Sequence, residues 1–305
     1  MARGFDLGRL LWCLSLLLLL LLGSAIWCRS HAQSLEDNVE APRSAFFGGV
    51  GLGINAVNFG HQSLYVGGTS RNYADGALVS AGIAWGSGSV DKATQTTASP
   101  ELRLGYYRHF GTSPWLWGVK ASYTDLLAAA ASYNVGVPQG GVIAYASTQG
   151  SVPLTGVAVM QSYRVKADSR FGAGPFIGYS LGPGFLYLGL GGTMTHAETD
   201  LNDLVGYASV NSQTVTVSGA PQSFASSGWV LGASMTVGGN YFVTKDWFLD
   251  IAYSFAETAA QVGHYVSSFT NALANPGLTA TGNRYGQSSE KIVTDSVTLT
   301  INRGF

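Results

Sequence analysis

From Val293 to the end of the chain, apolar and polar residues alternate. The odd positions read Val293, Asp295, Val297, Leu299, Ile301, Arg303 and Phe305, and the even positions Thr294, Ser296, Thr298, Thr300, Asn302 and Gly304. A period of two residues is that of a β-strand, and one apolar face opposed by a wholly polar one sets two different surroundings on its two sides. Lipid outside and a polar lumen inside satisfy this pattern; a soluble sandwich strand has a similar one. The same alternation recurs upstream. Phe46, Val50, Leu52, Ile54 and Ala56 oppose Gly49, Gly51 and Gly53; Leu102, Leu104 and Tyr106 oppose Glu101, Arg103 and Tyr107; Trp115, Trp117, Val119, Ala121 and Tyr123 oppose Lys120, Ser122 and Thr124. Further on, Phe171, Ala173, Ile177, Tyr179 and Leu181 share a face, as do Leu186, Leu188, Leu190 and Met194. Trp229 to Tyr241 and Trp247 to Phe255 give two more such strands, so eight are expected.

The connections alternate in length. Gly111–Pro114, Gly182–Gly184 and Val243–Asp246 are tight and built of turn formers or polar residues. Between them lie long stretches rich in Ser, Thr, Asn, Gln and Gly, at about 60–99, 126–168, 198–227 and 260–289. Short turns at one end and long loops at the other is the topology of outer-membrane barrels, and loops this long are uncommon in compact soluble folds. The expected fold is therefore an all-β, antiparallel, up-and-down transmembrane barrel. Ala77, Val79, Ala81, Ile83 and Trp85 also alternate. A ninth spanning strand would leave the chain ends on opposite sides, and single-chain bacterial barrels have even strand numbers. We read this segment as a strand standing above the membrane; the alternative is ten spanning strands, the tenth near Gly141–Ala146. Aromatic residues flank the tight turns (Tyr106, Tyr179 and Tyr241 before, Trp115, Phe185 and Trp247 after), as in a periplasmic girdle.

Composition sharpens the picture. Only 11% of residues are charged, against roughly 25% in soluble domains. Residues 1–32 have the form of an export signal: Arg3 and Arg9, an apolar run from Leu10 to Leu22, and Ser30-His31-Ala32 before a cleavage site at Gln33. An uncleaved anchor is the competing reading, and Trp27 argues against lipoprotein processing at Cys28. Cys13 and Cys28 both fall in this segment, so the mature chain has no disulfide to rely on. Without Arg3, Arg9, Arg29 and Asp6, 13 basic and 16 acidic residues remain, a net charge of −3 that gives no basic stripe for nucleic acid. After the signal no run of 18 apolar residues occurs, which excludes a transmembrane helix. The organisation expected is a signal over 1–32, a short segment over 33–43, and a barrel over 44–305 with four long extracellular loops.

The glycine-rich first strand Phe47-Gly48-Gly49-Val50-Gly51-Leu52-Gly53, the strand end Leu104-Gly105-Tyr106 and the terminal Phe305 resemble the OmpA-like, or opacity-type, eight-stranded porin-family barrels of Gram-negative bacteria. The resemblance implies an outer-membrane protein in contact with outer-membrane lipids. It also implies that Val297, Leu299, Ile301 and Phe305 form the signal read by the barrel-assembly machinery, from which Arg303 departs. Some relatives carry a peptidoglycan-binding domain after the barrel; here the sequence stops at the last strand, so tethering to the cell wall is not expected.

No constellation for catalysis, cofactor or metal stands out. His61, His109, His196 and His264 have no metal-ligand spacing. The Gly172–Gly178 run lacks the Lys and helix start of a phosphate loop. His196 with Glu198 and Asp200 lies near the outer rim, where lipid-modifying enzymes and proteases of this architecture place their catalytic groups. The informative charges are Glu101, Arg103, Lys120, Arg170 and Asp250, all on polar strand faces. Pairing across the turn at 111–114 sets Lys120 opposite Gly105 and within diagonal reach of Arg103, so an acidic partner is expected between the two cations. An eight-stranded barrel is just wide enough for side chains to fill, which favours a salt-bridged plug over an ion path. The function expected is structural or surface-interacting and non-enzymatic, with Tyr65, Tyr73, Tyr133, Tyr145, Tyr207 and Tyr265 offered in the loops to an extracellular ligand or host surface. A narrow porin for small solutes is the alternative.

Overall fold

A computed structural model describes residues 40–147, 150–210, 213–272 and 277–305; the export signal and its cleavage site lie outside them. Eight antiparallel strands close on themselves: β1 (Ser44–Phe59), β4 (Ala93–His109), β5 (Trp115–Tyr145), β6 (Ser151–Ser180), β7 (Gly184–Val210), β9 (Gln222–Phe242), β10 (Trp247–Thr258) and β13 (Ile292–Gly304). The final strand pairs the first from Phe47↔Gly304 to Phe59↔Ile292, which seals the ladder and leaves no edge in lipid. The tight turns lie at one end. Gly111 and Gly182 adopt φ of +55° and +89°, and Phe110 N–H bonds the Trp115 carbonyl across the first turn at 2.9 Å.

The outer surface of this half is apolar: Leu52, Leu104 and Leu231 stand 68%, 67% and 66% exposed. Its inside is polar, with Asn55, Ser99, Thr195, Thr298, Thr300 and Asn302 buried. Outward-facing Trp115, Tyr179, Tyr241 and Trp247 ring the end with the tight turns. Tyr123, Phe171 and Trp229 stack into a second belt, with centroids 4.8 and 5.5 Å apart. Trp115 and Tyr123 bracket a stretch of β5 close to the roughly 9–11 residues that a tilted strand needs to cross a bilayer. Phe185 is a correction to the expected girdle: it is buried inside the barrel. It starts β7 on the inward parity, which it shares with Tyr187 and Thr193.

The stretches read as long loops are largely β-structure. β2 (Gln62–Ala74) and β3 (Ala77–Val90) form a hairpin about Asp75-Gly76, both with positive φ, as a two-residue turn demands. β11 (Gln261–Ala272) and β12 (Leu278–Glu290) form another, and β12 pairs with β2. β3 pairs with the upper end of β5 from Ser80↔Tyr145 to Trp85↔Gly140. Ala77–Trp85 is thus a strand above the membrane, and Gly141–Ala144 belongs to β5 rather than to a tenth spanning strand. Strands β5, β6 and β7 run on for 31, 30 and 27 residues, with the short β8 (Gln213–Thr216) added beside β7. This extracellular continuation has an apolar interior that includes Val57, Phe59, Leu64, Val137, Met160, Tyr163, Val165 and Leu201. Between β9 and β11 no ladder is described, and the rings of Phe224 and Tyr265 meet there at 5.7 Å. Tyr265, expected in a surface loop, is buried in this core.

Candidate functional site: the filled lumen

The tight-turn end of the lumen is stoppered by rings. Phe47, Tyr107, Phe176, Phe185, Phe242 and Phe248 are all buried inside. Tyr107 and Phe185 lie 4.9 Å apart, Phe242 and Phe248 4.8 Å, and Phe47 and Phe248 5.5 Å, within the range of favourable ring pairs. Glycine makes the room: the ring of Phe47 lies over Gly105 and that of Phe176 over Gly118, where a Cβ would overlap the ring. The inward parity of Tyr107 is readable from the sequence; the clustering of rings from six different strands is not.

Above the rings sits a charge cluster centred on Arg103. Its guanidinium donates to Glu101 Oε1 from Nε at 3.1 Å and from Nη2 at 2.6 Å, to Thr298 Oγ1 at 3.0 Å, and through Nη1 to Asp250 Oδ1. Arg103 and Glu101 are 5% and 4% exposed, so the pair is fully desolvated. Such a pair contributes net stability only when its remaining polar atoms are satisfied as well. Here Tyr187 donates to Asp250 at 3.1 Å and Thr124 to Glu101 at 3.4 Å.

Lys120 holds the register expected of it but makes no ion pair among the described residues. It is in register with Gly105, and its Nζ contacts Tyr187, 3.4 Å from the hydroxyl and 4.4 Å from the ring centre. Arg103 takes both carboxylates itself. The reason is geometric: Glu101 shares the inner face of the same strand as Arg103, and the planar guanidinium offers several fixed N–H donors, enough to meet Glu101, Thr298 and Asp250 at once. Arg170 is buried and donates to Ser296 at 3.2 Å, which in turn donates to Asn55 at 2.7 Å. Arg170 makes no ion pair among the described residues, so the five lumenal charges form a triad (Glu101, Arg103, Asp250) with two cations set apart. Tyr187, which links Lys120 to Asp250, was missed in the sequence; its inward parity on β7 was the available signal.

Past the membrane half the interior becomes apolar, with one buried carboxylate. Glu290 accepts hydrogen bonds from Tyr163 at 2.9 Å and from Thr199. Burial pushes its pKa above the usual carboxylate range, against the opposing effect of those two donors.

At the outer rim Lys166 pairs with Glu198 at 2.9 Å and Asp200 at 3.3 Å, which holds Glu198 below its ordinary range. His196 does not join this group. Its Nδ1 lies 3.2 Å from Asp168, and its ring packs against Trp229 at 5.2 Å, on the outside of the barrel. Of the terminal residues, Val297, Leu299 and Ile301 face outward, and Phe305 is 77% exposed with its N–H bonded to the Phe46 carbonyl at 2.8 Å.

An even number of strands, an apolar outer belt bounded by aromatics, and a polar inner wall define a bacterial outer-membrane β-barrel with eight spanning strands. No protein-family model matches the chain, and no curated protein does. Among solved structures the chain is similar in fold to Ail, the attachment invasion locus protein of Yersinia pestis (13% identity over 76% of this chain and 98% of that one, TM-score 0.25). It is similar also to the outer membrane protein OprG from Pseudomonas aeruginosa (11% identity, 88% and 99%, TM-score 0.33) and to the outer membrane protease OmpT from Escherichia coli (11% identity, 86% and 97%, TM-score 0.22). At these scores the class rests on the chain's own ladder and faces.

Proposed function

We propose that this is a non-enzymatic outer-membrane protein whose barrel anchors a rigid extracellular β-structure for contact with a ligand or another surface. The observation that carries this reading is a lumen blocked at successive levels: rings at the tight-turn end, the Arg103 triad above them, and the apolar core of the extracellular half beyond. Such a lumen supports an anchor over a pore. The extracellular half supports a display role because its strands are laddered to one another, while Tyr65, Trp85, Tyr133 and Val266 stand exposed on its outside. Against an enzyme, His196 and Asp168 lie on the outer wall beside a membrane-belt tryptophan, not in a cleft.

The test is electrical. Purified wild-type protein inserted into a planar bilayer is expected to give no steady current above the bare membrane. A large, steady ionic current would replace this reading with that of a narrow pore.

A further inference from the structure

The extracellular half holds a partly open cavity of about 80 Å³. Its apolar walls include Val66, Ile83, Leu154, Ala158, Leu204 and Phe269, drawn from five strands. The volume is several times the roughly 10–15 Å³ that a single water needs, and about half that of an engineered apolar cavity that takes up benzene. A group of only a few carbons fits it.

Other lining residues are polar, Thr69, Asn72, Gln139, Ser218 and Asn283 among them, and one is charged. Arg284, on the inner face of β12 and opposite Gly68, lines the same cavity and is 5% exposed. Its Nη1 donates to the Ala220 carbonyl at 2.7 Å, and its guanidinium carbon lies 5.4 Å from the centre of the Phe269 ring. Its Nε has no partner among the described residues. It makes no ion pair among the described residues, and burial draws its pKa below the ordinary value. A buried cation without a counter-charge is costly, and a guanidinium has five N–H donors in a fork that fits a carboxylate. Arg103 shows what the same fold does when it neutralises a buried arginine, setting two carboxylates against it. Arg284 has none among the described residues, and it stands at this cavity.

We propose that this cavity is a binding site for a small amphipathic anion, an apolar tail of a few carbons ending in a carboxylate that meets Arg284. The tail takes the space between Val66, Ala158 and Leu204, and the carboxylate supplies the charge that the protein withholds. The site is separate from the lumenal triad and does not depend on whether the lumen conducts.

The experiment uses the whole barrel in lipid nanodiscs, with empty nanodiscs as the blank, so that no detergent tail competes. Binding of pentanoate is followed by saturation transfer to its methyl protons, and 1-pentanol is the uncharged control of the same tail. The expected result is pentanoate binding in the millimolar range or tighter, with 1-pentanol at least tenfold weaker. Arg284→Gln should weaken pentanoate at least tenfold, and Ala158→Phe, which fills the cavity and keeps the arginine, should abolish it. If Arg284→Gln does not fold, the comparison of acid with alcohol on the wild type and the Ala158→Phe variant still decide the matter. Absence of pentanoate binding to the wild type, equal binding of the alcohol, or binding that survives Ala158→Phe would each overturn the proposal.

Discussion

The two halves of this barrel share β5, β6 and β7 yet are inside out with respect to each other. In the membrane half the wall is apolar outside and polar within; in the extracellular half Arg164 and Lys166 face out while Tyr163, Val165 and Ala167 are buried. β6 shows how one strand serves both. Tyr163, Val165, Ala167, Phe171, Ala173, Ile177 and Tyr179 all fall on odd-numbered positions, a series interrupted at Ser169 and Pro175. The upper three face the core and the lower four face lipid, because the pairing with β7 slips between Ala167 and Ser169. A single extra residue, Asp168, turns the strand over. β5 carries an irregularity at the same level, with Leu127 at a φ of +49°, whereas β7 keeps its parity and changes its residues from Thr193 and Thr195 to Ala197 and Leu201. Surroundings decide which face must be apolar; a bulge or a change in composition are two ways to comply.

The sharpest way to break the inversion is to delete Asp168. Without it Tyr163, Val165 and Ala167 would turn outward with Phe171, and the extracellular core would lose three of its members. The expected outcome is a membrane half that still resists protease and an extracellular half that is cleaved at low protease concentration. Unchanged protection of the extracellular half would show that the bulge does not set the facing.

This same bulge explains what could and could not be read in the sequence. The eight spanning strands, their outer faces and the inward parity of Glu101, Arg103 and Asp250 follow from a period of two residues. The facing of the extracellular strands does not, because the slips at Ala167/Ser169 and Leu201/Leu204 shift which parity points inward, whereas that at Asp125/Ala128 leaves Thr124, Leu126 and Ala128 on one inner face. A strand that turns over together with its surroundings keeps its parity in the sequence, so its facing cannot be read there, and stretches rich in Ser, Thr and Gly look like loops. The choice of Arg103 over Lys120 as the hub was hidden for another reason: it depends on Asp250 and Thr298, which reach Arg103 from 147 and 195 residues away in the chain.

The two halves also differ in how they bury charge, and Arg103 tests the polar one. Arg103→Met leaves Glu101 and Asp250 buried without their counter-charge, and should destabilise the barrel by about 3–5 kcal/mol in urea unfolding from lipid. Adding Glu101→Gln and Asp250→Asn should recover most of that loss, since an uncharged cluster of similar shape is close to neutral. A triple variant no more stable than Arg103→Met would mean that the guanidinium acts through packing and not through charge.

Glu290 tests the apolar half, where the expected effect is smallest. It is 2% exposed, and its partners among the described residues are hydroxyl donors, from Tyr163 and Thr199. Its pKa is raised in the folded protein, chiefly by burial, so the folded state binds a proton more readily than the unfolded chain does. A raised carboxylate pKa contributes stability that is fully present below the unfolded value. That contribution is lost as pH rises through the folded value. The extracellular half should therefore gain stability as pH is lowered from 7 towards 4, the reverse of what a salt-bridged carboxylate would give. Hydrogen exchange of the β11–β12 amides, compared between wild type and Glu290→Gln and corrected for the intrinsic pH dependence, isolates this contribution. Glu290→Gln should be the more protected of the two at pH 7, and the difference should shrink on acidification. A gap that instead widens as pH falls would mean that Glu290 is stabilised as the carboxylate, with the two hydroxyl donors outweighing burial.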